Sequence, residues 1–259
     1  MKQVFIRRGN ITVENVPAPM IEDGHILVEV SYSLISSGTE ISAIESSGKS
    51  LIKRALEQPD RVMKLIDYLQ RHGIQKTVSK VMGQMINAAP IGYSCSGIVI
   101  QVGRGVTDIQ PGDRVACAGT GIANHAEIVL VPKNLAVKVP EGCTLKDAAS
   151  VALGAIAMQG LRRSDPRLGE IVAVIGLGLL GQLTIQLLKA SGCRVVGWDL
   201  DFRRVTLARE AGADYAFNPS EVDIKNEILH LTDNYGVDAS IITAASDSDA
   251  IVQRAMEIT

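Results

Sequence analysis

Residues 171–182 read IVAVIGLGLLGQ. Five apolar residues run straight into Gly176-x-Gly178-x-x-Gly181, and apolar positions continue beyond it at helical spacing. A lone G-x-G-x-x-G is weak. Here a strand precedes it, a helix opens on it, and a second strand, RVVGWDL (194–200), follows, which is the context a dinucleotide-binding turn requires. In such a turn Gly176 permits the sharp reversal. Gly178 lets the backbone approach a pyrophosphate, and Gly181 lets helix and strand pack closely. The helix N-terminus offers free N–H groups and the positive end of its dipole. Asp199 ends the second strand, 18 residues after Gly181, where a carboxylate accepts from the adenosine ribose hydroxyls. It would repel a 2′-phosphate, so NAD is the expected cofactor and NADP the disfavoured one; Arg203 and Arg204 pull the other way. Leu177, Leu179 and Leu180 fill the variable positions of the turn. With Arg204, and with Thr243 and Ala244 at the end of a later strand, they complete the expected cofactor-contacting set. The plain alternative is a glycine turn that binds nothing. Asp201 reads as a helix N-cap.

From residue 144 onward the pattern is one of alternation. Strands are expected at 171–175, 194–199, 214–217 and 238–244, and helices at about 179–190, 202–211 and 221–234. Gly192, Gly212 and Gly236 stand where helix C-caps belong. Thr144 and Asp147 have the spacing of a capping box, opening a helix that runs to about Arg163. Strands alternating with helices imply βαβ units and a parallel sheet. Before residue 144 the character differs. Residues 1–47 read as β structure, with Ile26, Val28, Val30 and Tyr32 alternating against Leu27, Glu29 and Ser31. Residues 48–89 carry apolar residues at helical spacing and many basic ones, and read as a helical insertion with a solvated face. Residues 91–140 are short apolar runs punctuated by glycine, the pattern of a barrel or sandwich. The expected fold is α/β, with a β-barrel domain over 1–143 and a doubly wound parallel-sheet domain over 144–259.

Composition excludes several classes. Among 259 residues, 26 are basic and 28 acidic, a net charge of −2 that argues against a nucleic-acid binder. One Trp, five Tyr and three Phe leave little for base stacking. Cys95, Cys117, Cys143 and Cys193 are dispersed, which reads as reduced thiols rather than a disulfide framework. The start MKQVFIRRGN has no apolar signal core, and no run of 18 apolar residues follows. The expectation is a cytoplasmic protein with a small-molecule partner and neither membrane nor nucleic acid.

Several further stretches carry a resemblance: GHILVEV (24–30), SGTE (37–40), GYSCSGIV (92–99), VGRGVTDIQPGDRV (102–115), HAEIVLVP (125–132) and the fingerprint itself. Together they resemble the medium-chain dehydrogenase/reductase superfamily, the alcohol-dehydrogenase-like enzymes. This resemblance implies a GroES-like barrel followed by a Rossmann domain, and an NAD-dependent oxidoreductase. Members with catalytic zinc carry Cys-Gly-Thr-Asp and Gly-His-Glu. Here Ser37 stands at the cysteine position, Tyr93 at the histidine and Ser94 at the glutamate, and the third ligand position falls near Ala152 or Leu153. Zinc needs thiolate, imidazole or carboxylate ligands, so no metal is expected. The 48–89 insertion and the GYS variant look like a zinc-less bacterial branch. In some members of that branch a glucose–fructose-oxidoreductase-like domain follows, and the branch is linked to sugar metabolism. The bacteriochlorophyllide hydroxyethyl dehydrogenases look similar around the SGTE motif.

The resemblance also marks candidate catalytic residues: Thr39 at the family's hydroxyl relay, Tyr93 and Ser37 as hydroxyls at lost ligand positions, and Glu40 as the acid that orients them. His125 reads as structural. The family's nucleotide domain has six strands and only four are countable here. That reads as a fragment lacking its C-terminal part, with a homodimer covering the exposed edge as the alternative. The function expected is zinc-independent hydride transfer to or from an alcohol, a sugar hydroxyl or a carbonyl. A non-catalytic dinucleotide-binding module of a multidomain protein, and an NADPH quinone-reductase-like enzyme, stand as alternatives.

Overall fold

The computed structural model describes residues 1–7, 9–48, 89–246 and 248–259, apart from the side chains of residues 37, 43, 45, 46 and 48. All but the two end residues of the expected insertion at 48–89 lie outside the described residues. The chain divides into two compact units, Met1–Ala152 and Leu153–Thr259.

The first unit is antiparallel. Strands β1 (Lys2–Arg7), β2 (Asn10–Asn15) and β4 (Ala89–Pro90) form a three-stranded sheet in the order β2-β1-β4. A five-stranded sheet has the order β7-β3-β5-β6-β8, from β3 (His25–Ser33), β5 (Ser94–Val102), β6 (Arg114–Ala118), β7 (Ile128–Pro132) and β8 (Ala136–Lys138). Its core gathers Ile26, Val28, Cys95, Val99, Val115, Cys117, Val129 and Val131. The simple alternation expected for β3 does not hold: Leu27 is buried beside Ile26 and Val28, while Tyr32 is exposed. Register shifts between Leu27 and Val28 and between Val30 and Tyr32 re-aim the side chains.

Residues 1–47 are not all β structure. Ser37–Gly48 is a helix, α1. The physical reason lies in its start: the Ser36 carbonyl accepts from Glu40 N–H at 2.9 Å, while the Glu40 carboxylate reaches back to Ser36 N–H at 3.0 Å. An acid folded onto the N-terminal N–H groups nucleates a helix where strand propensity alone would continue.

Thr144 caps the helix as expected, its Oγ1 accepting from Asp147 N–H at 3.1 Å, but in place of the reciprocal backbone bond of a full capping box the Asp147 carboxylate accepts from the Thr144 hydroxyl at 2.6 Å. The helix it opens is interrupted, giving α2 (Leu145–Ala148) and α3 (Val151–Ser164). Ser94, fully buried in β5, occupies the break: its Oγ donates to Ala149 O at 2.6 Å and accepts from Ala152 N–H at 3.1 Å.

The second unit is a parallel sheet in the order β11-β10-β9-β12, from β9 (Ile171–Ile175), β10 (Arg194–Trp198), β11 (Tyr215–Phe217) and β12 (Ala239–Ile242). Helices cover both faces. On one, Val172, Val174 and Val195 pack with Leu161 of α3, Ile185 and Leu188 of α4 (Leu179–Ala190), and Val205 and Ala208 of α5 (Phe202–Glu210). On the other, Ala173, Ile175, Val196 and Trp198 pack with Ile224 and Ile228 of α6 (Ile224–Leu231) and Ala255 and Ile258 of α7 (Ala250–Ile258). Helix α6 is shorter than the 221–234 expected. Asp223 caps its start, and left-handed residues Asp233 and Asn234 end it before Gly236 is reached. Among the described residues no helix is long and apolar enough to cross a membrane.

Candidate functional site

The order β11-β10-β9-β12 places successive strands on one side of β9 and then returns to its other side. The carboxyl ends of β9 and β12 therefore form a topological switch point, the place where open parallel sheets bind ligands. Gly176 leaves β9 with φ +94°. A Cβ there would stand 2.5 Å from Ala244 Cβ and 2.8 Å from Ala244 N, so only glycine fits. Thr243 Oγ1 donates to Gly176 O at 2.5 Å, tying the end of β12 to the turn. A Cβ on Gly181 would collide with the Gly176 carbonyl, so the first turn of α4 packs directly on the strand end. Gly178 differs. It caps α4 with extended backbone, and a Cβ there would meet nothing within 4 Å. The helix N-terminus thus faces open space, which suits a pyrophosphate. Leu177 is fully buried and serves packing, whereas Leu179 is half exposed.

Asp199 folds back on this turn. Its Oδ2 accepts from Leu177 N–H at 2.7 Å and its Oδ1 from Asp201 N–H at 2.9 Å. Arg204 Nη1 lies 3.4 Å from Asp199 Oδ2, and Arg204 Nε 3.8 Å from Asp201 Oδ2. Arg204 is half exposed, so the acid directly after β10 has a guanidinium beside it that is free to turn outward. These residues fit a nicotinamide dinucleotide: glycine backbone for the pyrophosphate, Asp199 for ribose hydroxyls, and Thr243 and Ala244 across the switch point.

In the first unit, Thr39 lies in the first turn of α1 and is exposed, its Oγ1 accepting from Ser36 Oγ at 3.4 Å. Ser37 opens the same helix, but its side chain lies outside the described residues. Tyr93 is half-buried in the bend just before β5, its carbonyl accepting from Gly119 N–H at 2.9 Å. Glu40 is buried and its Oε1 lies 3.2 Å from His125 Nε2; His125 Nδ1 lies 2.9 Å from Ser33 Oγ. This pairing spans 85 residues of chain and no local motif signals it. Asn124 is buried next to it in sequence, and its Oδ1 has no hydrogen-bond partner among the described residues.

Catalytic zinc does not fit the residues at the positions the superfamily uses for it. Tyr93 and Ser37 offer neutral hydroxyls, Ala152 and Leu153 are buried and apolar, and Ser94 is spent on the α2–α3 break. Among the described residues no three His, Cys, Asp or Glu converge. Cys95 and Cys117 face each other across β5 and β6, fully buried. Their mutual hydrogen bond and burial push the Cys117 thiol pKa far up, so Cys117 behaves as a small apolar group.

Two family models match. The alcohol dehydrogenase GroES-like domain covers residues 65–141 and the zinc-binding dehydrogenase domain covers residues 180–259, in the order the two units require. The chain belongs to the medium-chain dehydrogenase/reductase superfamily. Among curated proteins, this superfamily member is 37% identical over 163 residues to D-guloside 3-dehydrogenase of Escherichia coli (strain K12). The match covers 62% of this chain and 46% of that protein. The Shigella flexneri protein of the same name matches equally. The chain therefore spans about half the length of the curated relatives it matches. Solved structures share the fold. Galactitol-1-phosphate dehydrogenase from Escherichia coli has a TM-score of 0.77 at 20% identity, covering 100% of this chain and 72% of its own. Escherichia coli quinone oxidoreductase complexed with NADPH has a TM-score of 0.76 at 17% identity, covering 100% of this chain and 70% of its own.

Proposed function

We propose that this protein is an NAD(H)-dependent, zinc-independent oxidoreductase that interconverts a secondary hydroxyl on a sugar ring and the corresponding ketone. One observation carries the reading: the Asp199 carboxylate, directly after β10, accepts from the Leu177 N–H of the Gly176–Gly181 turn. A carboxylate there favours ribose hydroxyls over a 2′-phosphate. The sugar substrate class follows from the likeness to D-guloside 3-dehydrogenase. In the oxidative direction the carbinol C–H leaves as hydride and the hydroxyl loses its proton. The nicotinamide, when bound, supplies the hydride acceptor, and this chain orients and solvates the reacting groups.

On this reading residues 144–259 hold the dinucleotide through Gly176, Leu177, Gly178, Leu179, Leu180, Gly181, Asp199, Arg204, Thr243 and Ala244, and residues 1–143 hold the substrate. Without a metal, the substrate oxygen is polarised by hydrogen bonds and its proton needs a route. Thr39 and Tyr93 supply the hydroxyls, Ser37 a further donor, and Glu40 orients the turn that carries Thr39.

The test begins with Trp198, the sole tryptophan, which lies beside Asp199. Titration with NADH and NADPH separately should give saturable quenching that is tighter for NADH. Metal-free protein should then reduce NAD in the presence of glycosides with free secondary hydroxyls. Activity abolished by a chelator and restored by zinc would overturn the zinc-free reading, and tighter NADPH binding would reverse the cofactor assignment. Tyr93→Phe should lower turnover; unchanged turnover removes Tyr93 from the set.

A further inference from the structure

We infer that His125 is the positioning residue that locks the Thr39-bearing turn of α1 to the Tyr93-bearing segment just before β5, through a Ser33–His125–Glu40 chain whose imidazole and carboxylate are buried. The inference rests on the oxidoreductase reading for its functional meaning, but its structural content stands on geometry alone.

His125 makes contacts on every side. Its N–H donates to Ile91 O at 2.8 Å and its carbonyl accepts from Val4 N–H at 2.9 Å. Gly92, with φ +99°, lies so close that a Cβ there would come within 2.7 Å of His125 N and 3.0 Å of its Nδ1. The backbone of residues 91–93, ending in Tyr93, is thus shaped against the imidazole. On the ring's far side, Nε2 lies 3.2 Å from Glu40 Oε1, the same oxygen that accepts from Ser36 N–H at 3.0 Å. Ser36 Oγ in turn donates to Thr39 Oγ1. A carboxylate oxygen only accepts, so Nε2 carries the proton toward Glu40. In the neutral imidazole Nδ1 is then the acceptor, and Ser33 Oγ, 2.9 Å away, donates to it. Every polar atom of the ring has a partner.

Both side chains are about nine-tenths buried. Removing the imidazole leaves the Glu40 carboxylate buried with one donor fewer, free to swing and carry the α1 turn with it. Misplacing a reacting hydroxyl by about 1 Å costs about a hundredfold in rate. This is the role the superfamily's local motifs did not signal, because Ser33, Glu40 and His125 come from three separate stretches.

The experiment compares His125→Ala, His125→Gln and, as a surface control, His230→Ala, all in the full chain. With a glycoside substrate, His125→Ala should lower kcat about tenfold to a hundredfold while KM and NADH affinity stay within about twofold. His125→Gln should recover much of the loss, because its amide still donates to Glu40. Independently of turnover, the ring of ¹⁵N-labelled His125 should show the Nε2–H tautomer, with ring-nitrogen shifts that change in Glu40→Gln. The amide resonances of both Ser36 and Tyr93 should move in His125→Ala and not in His230→Ala. An Nδ1–H tautomer, or amide shifts confined to one of the two segments, overturns the proposal. So does wild-type kcat in His125→Ala. A chain that turns over no glycoside or alcohol refutes the oxidoreductase reading, and the resonance comparison then decides the role of His125.

Discussion

Gly176 and Gly178 stand two residues apart and do different things. Gly176→Ala places a Cβ against Ala244 at a left-handed φ, so it should destabilise the fold by about 1–3 kcal/mol in denaturant titration. Gly178→Ala meets open space at an ordinary φ, so its stability should stay within about 0.5 kcal/mol of the parent. The same variant should weaken NADH binding, since the added methyl occupies the space where a pyrophosphate approaches the helix. If Gly178→Ala bound NADH as tightly as the parent, the pyrophosphate would not sit on this turn. Asp199→Asn removes a charged acceptor from ribose hydroxyls and from Leu177 N–H. A hydrogen bond to a charged group contributes about 1.5–3 kcal/mol, so NADH affinity should fall about tenfold to a hundredfold by Trp198 quenching.

At the scale of elements, Ser94 joins β5 to the α2–α3 break. Its hydroxyl satisfies one carbonyl and one N–H that the interruption leaves without helical partners. Ser94→Ala should therefore cost about 1–3 kcal/mol, the penalty for two buried polar groups losing their shared partner. Lys189 of α4 and Asp214, which precedes β11, form the comparable link in the second unit, with Nζ 2.8 Å from Oδ2 and Val195 N–H on the same oxygen at 2.6 Å. Burial by itself would raise the Asp214 carboxyl pKa; Lys189 and the Val195 N–H outweigh it and hold the carboxyl below its ordinary 3.8. A depressed carboxylate contributes stability that is fully present above 3.8 and is lost as pH falls through the lower folded value. Asp214→Asn should therefore be less stable than the parent by about 1 kcal/mol at pH 7, with the gap closing in strong acid. A gap that widened on acidification would refute the assignment.

For the molecule as a whole, the relevant fact is two units with separate cores. Trp198 sits in the second unit's core and reports on that unit. NADH at about a hundred times its Kd should stabilise the unfolding that Trp198 reports by about 2.7 kcal/mol. An unmoved transition at saturating NADH would mean the cofactor does not bind the second unit.

The doubly wound half of the fold was legible in the sequence because its signals are local. Strand β9 has the bounds read from the apolar run, helix α4 has the expected bounds with Gly181 in its first turn, and the Thr144 cap forms as its spacing implies. Turn chemistry and periodicity act over a few residues, so a linear reading captures them. Where the reading failed, the pairing of distant strands was one cause and unrecognised local capping and turn chemistry the other. The first turn of α1 is helical because Glu40 folds onto Ser36 N–H, β3 loses its alternation to two register shifts, and α6 stops early at left-handed Asp233 and Asn234. Only tertiary structure could bring His125 to Glu40 across 85 residues, or assign Ser94 to a helix break 55 residues away. A hydrogen bond depends on the positions of two atoms in space, and for residues so far apart in the chain those positions are set by the packing of whole strands, which no spacing in the sequence encodes.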